Sequence, residues 1–451
     1  MTTTVIPPVA HAPGRPAHRD GNVLRWLGAY AASMIGDNVF YIALSWAAVQ
    51  SGTPSQAGLV MAVSAVPRAL LMLGGGVVAD RFGPRRVVIG SDAVRCAAVL
   101  TVAALLFVAS PGLWLLALLA VVFGIVDAVF MPAVGALPAR VTGRDQLARV
   151  QGMRGLAVRF ANVLGAPLGG LGVALGGSAT AFALAGLLIA VSVPLLISVR
   201  MREPASAVVD GAPGDPGGVP ARGDESGTHV RVPDGRDGAA VAPERPARAT
   251  AWRDLRDGLR YIRGHRVLAP LIVAIALGDL GFVGPLNVGL ALLADQRGWG
   301  ASGMGLVVAA FGAGAGAAAL LLAWRGTLPR AGSAGAAALL GGSVAIGALA
   351  YVPGVGAAVG VALAIGLLAG LSGALCGALL QTQSDPAYLG RVTAVAGIVS
   401  LGLAPLSMPL TAAAIGWWGT GPVFVASAVV CGLGGVVALC VRDLRRAELP
   451  R

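Results

Sequence analysis

Five ionisable residues sit where an apolar sequence should exclude them: Asp37, Arg68, Asp127, Arg159 and Asp279. Each interrupts a run of roughly 20 or more residues otherwise poor in charge, long enough to cross a hydrocarbon layer of about 30 Å. A charged group in such a run costs on the order of 2.5–3.5 kcal/mol on insertion scales, so it marks candidate proton or substrate coupling. At about 1.5 Å per helical residue, Asp37 lies roughly 18 Å into its run and Arg68 roughly 17 Å into the next. Both fall near mid-membrane with opposite signs, which predicts an Asp37–Arg68 pair. Asp279 is expected at the same depth, with Asp127 and Arg159 somewhat nearer one end. Asp92, Arg95 and Arg154 fall closest to a boundary, where arginine reaches back to water, and are expected to be structural.

Ser33, Asp37, Tyr41 and Ser45 recur every four residues as a polar stripe. Such a stripe suits a helix that lines a water-filled cavity rather than lipid. A carboxyl group there answers to its surroundings: desolvation favours the acid and a nearby arginine the carboxylate. A group that moves between those surroundings couples proton binding to a change of shape. After Asp279 the second half carries no charge in its runs, and Asn287 and Ser372 are among its few polar handles. Such walls suit a hydrophobic or amphipathic solute better than a strongly charged nutrient.

Other chemistries find little support. The four histidines, His11, His18, His229 and His265, lie outside the apolar runs, and the four cysteines are scattered without metal-ligand spacing. No enzyme, cofactor or metal is expected. No nucleotide-binding signature is present, so an ion gradient is the expected driving force.

The positioning elements follow from composition: 56% hydrophobic and 12% charged, about half the usual charged share. Long apolar runs without alternation mean helices, because only closed hydrogen-bonding structures survive in lipid. Twelve spans are expected, at 25–50, 57–79, 87–109, 113–138, 151–175, 178–199, 267–293, 302–323, 333–351, 354–380, 391–415 and 421–441. The expected layout is a leader at 1–24, a six-helix bundle at 25–199, a linker at 200–266, a second bundle at 267–441 and a tail at 442–451. The first span is too long for a signal-peptide core and is read as retained. Residues 203–250 are rich in Pro, Gly, Asp and Arg and are expected to be disordered. Residues 251–264 then place Trp252, Leu255, Leu259 and Ile262 on one helical face and arginines on the other, an amphipathic helix on the membrane surface.

Every basic residue is arginine, and 28 of the 33 fall on one side of this topology against Arg297 alone in the opposite loops. Positive-inside asymmetry puts both termini in the cytoplasm of a multi-pass plasma (cell inner) membrane protein. The net charge of +12 therefore reports topology, and no nucleic-acid partner is expected. The expected partners are a small-molecule substrate, protons and the lipid bilayer, for a monomeric chain.

The halves read as diverged copies: "IGDNVFYIALSW" against "LGDLGFVGPLNV", and "GLVMA" at Gly58 against "GLVVA" at Gly305. "ADRFGPRR" finds a decayed partner in "AWRGTLPR" (Ala323 to Arg330). Six plus six in equal orientation is a layout for two rocking bundles. Glycines four apart, such as Gly165 and Gly169 or Gly366 and Gly370, allow helices to approach closely.

With these residues the chain resembles the major facilitator superfamily. The loop after span 2 matches that family's signature through Gly76, Asp80, Arg81, Gly83, Arg85 and Arg86, with Pro84 where many members carry a basic residue. The resemblance implies a latch that holds the halves together on the cytoplasmic side when the cavity opens outward. Span 5 resembles the antiporter signature of drug exporters through Gly152, Gly165, Gly169 and Gly170, with Pro167 one place late. Span 4 lacks the arginine those exporters often carry. "GDNVFYIALSW", "GIVDAVFMPAVGALPARV" and "DPAYLGRVTAV" resemble the branch of enterobactin-type siderophore exporters and macrolide efflux proteins. The implied activity is proton-coupled efflux by alternating access. A lysophospholipid or lipid translocator, an importer, and a non-transporting sensor or scaffold are the alternatives.

Overall fold

Proline and glycine punctuate the apolar runs, and the helices start and stop on them. A computed structural model describes residues 19–109, 112–143, 146–200, 247–325, 330–385 and 388–448. Helix α1 (Gly21–Ser51) is capped by Asp20, whose carboxylate accepts from the Asn22 N–H at 2.9 Å. Helix α2 (Pro54–Phe82) opens on a Thr53–Gln56 capping box with Pro54 in its first turn. Gly83 alone separates α2 from α3 (Pro84–Val108); its φ of 83° is where a side chain would be strained. Helix α4 (Leu113–Ala136) follows. The long helix Leu147–Ser198 breaks at Gly176 and Gly177 into two limbs, α5 (147–175) and α6 (178–198).

Helix α7 (Ala247–Gly264) precedes α8 (Leu268–Gly284), which runs through a π turn at Pro285–Gly289 into Leu290–Gln296. Pro285 lacks the N–H that an α-helical ladder would use. Five long helices follow: α9 (Gly300–Arg325), α10 (Ala331–Leu349), α11 (Val355–Thr382), α12 (Leu389–Trp418) and α13 (Thr420–Cys440). The protein is thus an all-α polytopic membrane protein, with twelve apolar helices, α1–α6 and α8–α13, among the described residues.

The two halves pack alike. In the first, α1 lies against both limbs α5 and α6, α2 against α4, and α3 against α6; in the second, α8 lies against α12 and α13, α9 against α11, and α10 against α13. Adding seven to each first-half label reproduces the second-half pairs. The bundles meet through α2 with α12 and α5 with α9, again a symmetric pair. At these crossings the repeated glycines do matching jobs. A Cβ on Gly58 would lie 2.3 Å from the Ala412 methyl, and one on Gly305 would lie 2.6 Å from the Ala166 carbonyl oxygen. Both contacts fall in the halves of the helices away from the chain ends, where Gln50 also donates to Asp295 at 2.5 Å across the bundles. The bundles are therefore clasped on that far face.

On the opposite face, where α1 begins and α13 ends, α7 packs beside the start of α12. Tyr261 stacks on Tyr388 with ring centroids 4.4 Å apart and accepts from the Asp385 N–H at 3.1 Å. Of the expected apolar face, Ile262 is buried but Leu259 is 43% exposed, while Arg256, Arg260 and Arg263 are exposed; the Trp252 and Leu255 side chains fall outside the described residues. The leader up to residue 18 and the segment 203–246, expected to be disordered, also lie outside them, whereas 247–250 are helical.

Candidate functional site

Arg95, not Arg68, holds Asp37. The Arg95 guanidinium is fully buried, and its Nη1 donates to both Asp37 oxygens at 2.9 and 2.7 Å and to Asp127 Oδ1 at 3.2 Å. Its Nη2 donates to Ser33 Oγ at 3.1 Å and to Asp92. The Phe130 ring lies beneath it, centroid 4.0 Å from Cζ. Asp92 in turn accepts from Ser33 on α1 and Ser192 on α6. Asp127 accepts from Tyr41 at 3.3 Å and faces Arg68 Nη1 at 3.9 Å. One cluster therefore ties α1, α2, α3, α4 and α6 together.

Two expectations are corrected here. The Asp37–Arg68 pair gives way to Asp37–Arg95 and Arg68–Asp127, because α3, not α2, brings its arginine to the Asp37 face of α1. Asp92 and Arg95 do not reach back to the boundary: both are 0% exposed. Helix α3 starts at Pro84, so Arg95 is 11 residues inside, roughly 17 Å deep at the helical rise. The signal available was Asp92-x-x-Arg95, an opposite-charge pair one turn apart inside an apolar run. The Arg154 guanidinium lies 5.3 Å from the Tyr30 ring centroid.

The polar stripe of α1 is corrected as well. Ser33 faces the ionic cluster and is 1% exposed; Ser45 is 3% exposed, surrounded by core side chains, and its hydroxyl has no hydrogen-bond partner among the described residues. Tyr41 is half-buried against Asp127. The stripe lines a packed ionic interior in this conformation rather than a cavity. Asn287 is exposed on the π turn and donates to Val283 O of its own helix at 2.7 Å.

Counted as ionised groups, the cluster holds three carboxylates (Asp37, Asp92, Asp127) against two guanidiniums (Arg68, Arg95), a formal charge of −1. Buried charge is tolerated only when paired and hydrogen-bonded, so an excess carboxylate invites a proton or another cation.

Asp279 occupies the matching place in α8 with a different environment. Ser400 Oγ of α12 donates to it at 2.5 Å, and among the described residues no arginine forms an ion pair with it. It borders a cavity of about 160 Å³ whose wall includes Phe282, Leu339, Ser372, Cys376 and Cys431. A lone carboxyl group beside a cavity can take and release a proton without dismantling an ion pair.

A larger crevice of about 750 Å³ opens between the bundles, bounded by α1, α5 and α9. Its wall is apolar, with Leu24, Leu27, Leu156, Phe160 and Leu320, and Arg159 is its only ionisable residue among the described residues. These positions lie in the halves of the helices near the chain ends, opposite the clasped face.

The loop after α2 is disengaged. Asp80 is exposed and forms no ion pair among the described residues, and Arg81 lies over Phe82. Arg85 donates to the Leu196 and Ile197 carbonyls, at 3.5 and 2.5 Å, complementing the C-terminal end of α6. Arg86 is exposed, and a Cβ on Gly76 would meet nothing. In helix 5, Gly165 and Gly169 meet Asn38 and Ile42 of α1, Gly170 meets Ala301 of α9, and Gly152 meets nothing.

The sequence profile of the Major Facilitator Superfamily matches residues 26–402. No curated protein matches the chain in sequence. Among solved structures, the fold is similar to the nucleoside transporter NupG (11% identity, 93% of this chain and 100% of that chain, TM-score 0.65). It is likewise similar to a D-xylose-proton symporter (12% identity, 95% and 99% covered, TM-score 0.66). A bacterial homolog of the human lysosomal transporter Spinster, inward-facing and occupied, is a third (14% identity, 93% and 96% covered, TM-score 0.65).

Proposed function

This chain belongs to the Major Facilitator Superfamily, and we propose that within it the protein is a proton-coupled exporter of hydrophobic or amphipathic small molecules. It is a transporter and not an enzyme. The observation that carries the finer reading is the pairing of an apolar inter-bundle crevice with Asp279, a span carboxylate that has a hydroxyl and, among the described residues, no paired cation beside it. The crevice receives the solute; Asp279 exchanges the proton. The arginine asymmetry supports placing the crevice mouth and both termini in the cytoplasm of the cell membrane. The glycines of α5 and the resemblance to the enterobactin-exporter and macrolide-efflux branch support outward transport.

The cycle has two faces to control. Release of the far-face clasp at Gly58 and Gly305 opens the crevice outward, and the Asp80–Arg86 loop then latches the cytoplasmic face. Asp80 would do this by meeting a helix N-terminus across the bundle gap, where a carboxylate is stabilised by about 0.3–1 kcal/mol. The Arg95 cluster holds five helices as one rigid body, so that rocking moves the bundle as a unit. Arg68 and Asp127 belong to that body, and a single chain suffices for the cycle.

The test is accumulation of a neutral arylnaphthylamine dye in everted membrane vesicles energised by respiration. Protein-dependent accumulation that an uncoupler abolishes is expected. Accumulation unaffected by the uncoupler, or dye leaving the vesicles down the same gradient, would refute proton-driven export.

A further inference from the structure

The arginines buried in or facing the spans have fixed partners, with one exception. Arg95 is held by three carboxylates, Arg68 faces Asp127, and Arg154 lies over Tyr30. Arg159 forms no ion pair, hydrogen bond or ring contact among the described residues, and it is exposed on the wall of the inter-bundle crevice. It lies 12 residues into the helix that begins at Leu147, roughly 18 Å along it. That exceeds the reach of its side chain back to the helix end. Asn162, one turn further along α5 and tied to Asn38 at 3.2 Å, holds this part of α5 against α1.

A guanidinium presents five donors, matches carboxylate, sulfonate and phosphate oxygens two at a time, and keeps its charge at any cellular pH. Low-dielectric walls focus its field into the crevice. Among the described residues, no acidic side chain shares that wall to neutralise it. From this we infer that the crevice selects amphipathic organic anions: one acidic head on Arg159, with an apolar body against Leu24, Leu156, Phe160 and Leu320. A cationic amphipath is repelled from the same place, and a neutral one gains only the apolar contacts. The inference rests on the transporter reading in taking the crevice for the path of the solute.

Two dyes with the same rings isolate the head group: 1-anilinonaphthalene-8-sulfonate and its uncharged parent N-phenyl-1-naphthylamine. Binding of each to the purified full chain in neutral-detergent micelles is measured against protein-free micelles, for the wild type, Arg159→Gln and Arg159→Lys. The wild type is expected to favour the sulfonate roughly tenfold, the scale of one partly exposed charge-assisted contact. Arg159→Gln should erase that preference at unchanged thermal stability, and Arg159→Lys should keep part of it. Equal binding of the two dyes by the wild type, or a preference that survives Arg159→Gln, overturns the inference. A lysophospholipid bearing a single phosphate that displaces the sulfonate from the wild type identifies lipid-derived anions as ligands; failure to displace leaves non-lipid acids. Loss of uncoupler-sensitive dye accumulation with the binding preference intact would sink the exporter reading alone.

Discussion

The two bundles share a packing plan and a Gly-Asp at the same place in their first helices, yet they treat that aspartate in opposite ways. Asp37 is wrapped by Arg95, Ser33, Asp127 and Asp92 in a cluster that joins five helices. Asp279 has one serine hydroxyl and a small cavity. Both halves carry a membrane carboxylate, and only the first half carries arginines away from the helix ends. The lesson is one of division: a carboxylate held by arginines ties helices together, whereas one with no arginine paired to it, beside a cavity, can exchange a proton without breaking an ion pair. On the function proposed above, the first bundle is the rigid partner and the second holds the titrating group.

The sharpest break of this comparison is Arg95→Ala. Removing one member of a buried ionic cluster leaves the other charges uncompensated, at a cost of about 3–5 kcal/mol. A loss of that size should appear as a large drop in the melting temperature of the purified protein, while Asp279→Asn should melt within about 1 kcal/mol of wild type. Similar melting of both variants would dissolve the distinction between the bundles.

Next in size is Gly305→Val. The added side chain meets backbone at Ala166, which cannot yield as a flexible side chain would. The far face should no longer close, so transport falls at least tenfold at little cost to the fold of either bundle. Cross-linking of cysteines placed at Gln50 and Asp295 should fall in parallel; undiminished cross-linking would show that the clasp does not depend on this glycine.

A smaller effect is expected at the loop after α2. If Asp80 stabilises the outward-open state by about 0.3–1 kcal/mol, Asp80→Asn shifts the balance roughly two- to fivefold towards the conformation described here. Maleimide labelling of a cysteine at Ala157 in the crevice should rise accordingly, and a fall would reverse the assigned role. Least affected should be Gly152→Ala, where a Cβ meets nothing; its stability is expected to stay within about 0.5 kcal/mol.

Much of this architecture was legible in the residues. Hydropathy located the helices, because lipid forces every backbone group into an internal bond, and proline and glycine marked their ends. The repeat matched Gly58 with Gly305, and the structure places both at bundle crossings. The partner of Asp37 was not legible. Depth along a helix follows from counting, but which helix presents a side chain at that depth depends on packing, and a three-residue difference in the start of α3 hid how deep Arg95 lies. The stripe of α1 failed for a related reason: a polar face needs polar surroundings, and a buried salt-bridge cluster satisfies that need as well as water does. Ser45 has neither, and nothing in the structure explains its hydroxyl.

The most direct test of the division of labour separates movement from coupling. In proteoliposomes containing Asp279→Asn, solute counterflow, which needs only rocking, should proceed at close to the wild-type rate, while accumulation driven by an imposed pH gradient should vanish. Asp279→Asn protein that still accumulates solute against its gradient as well as wild type would contradict the account and return the proton to the carboxylates around Arg95.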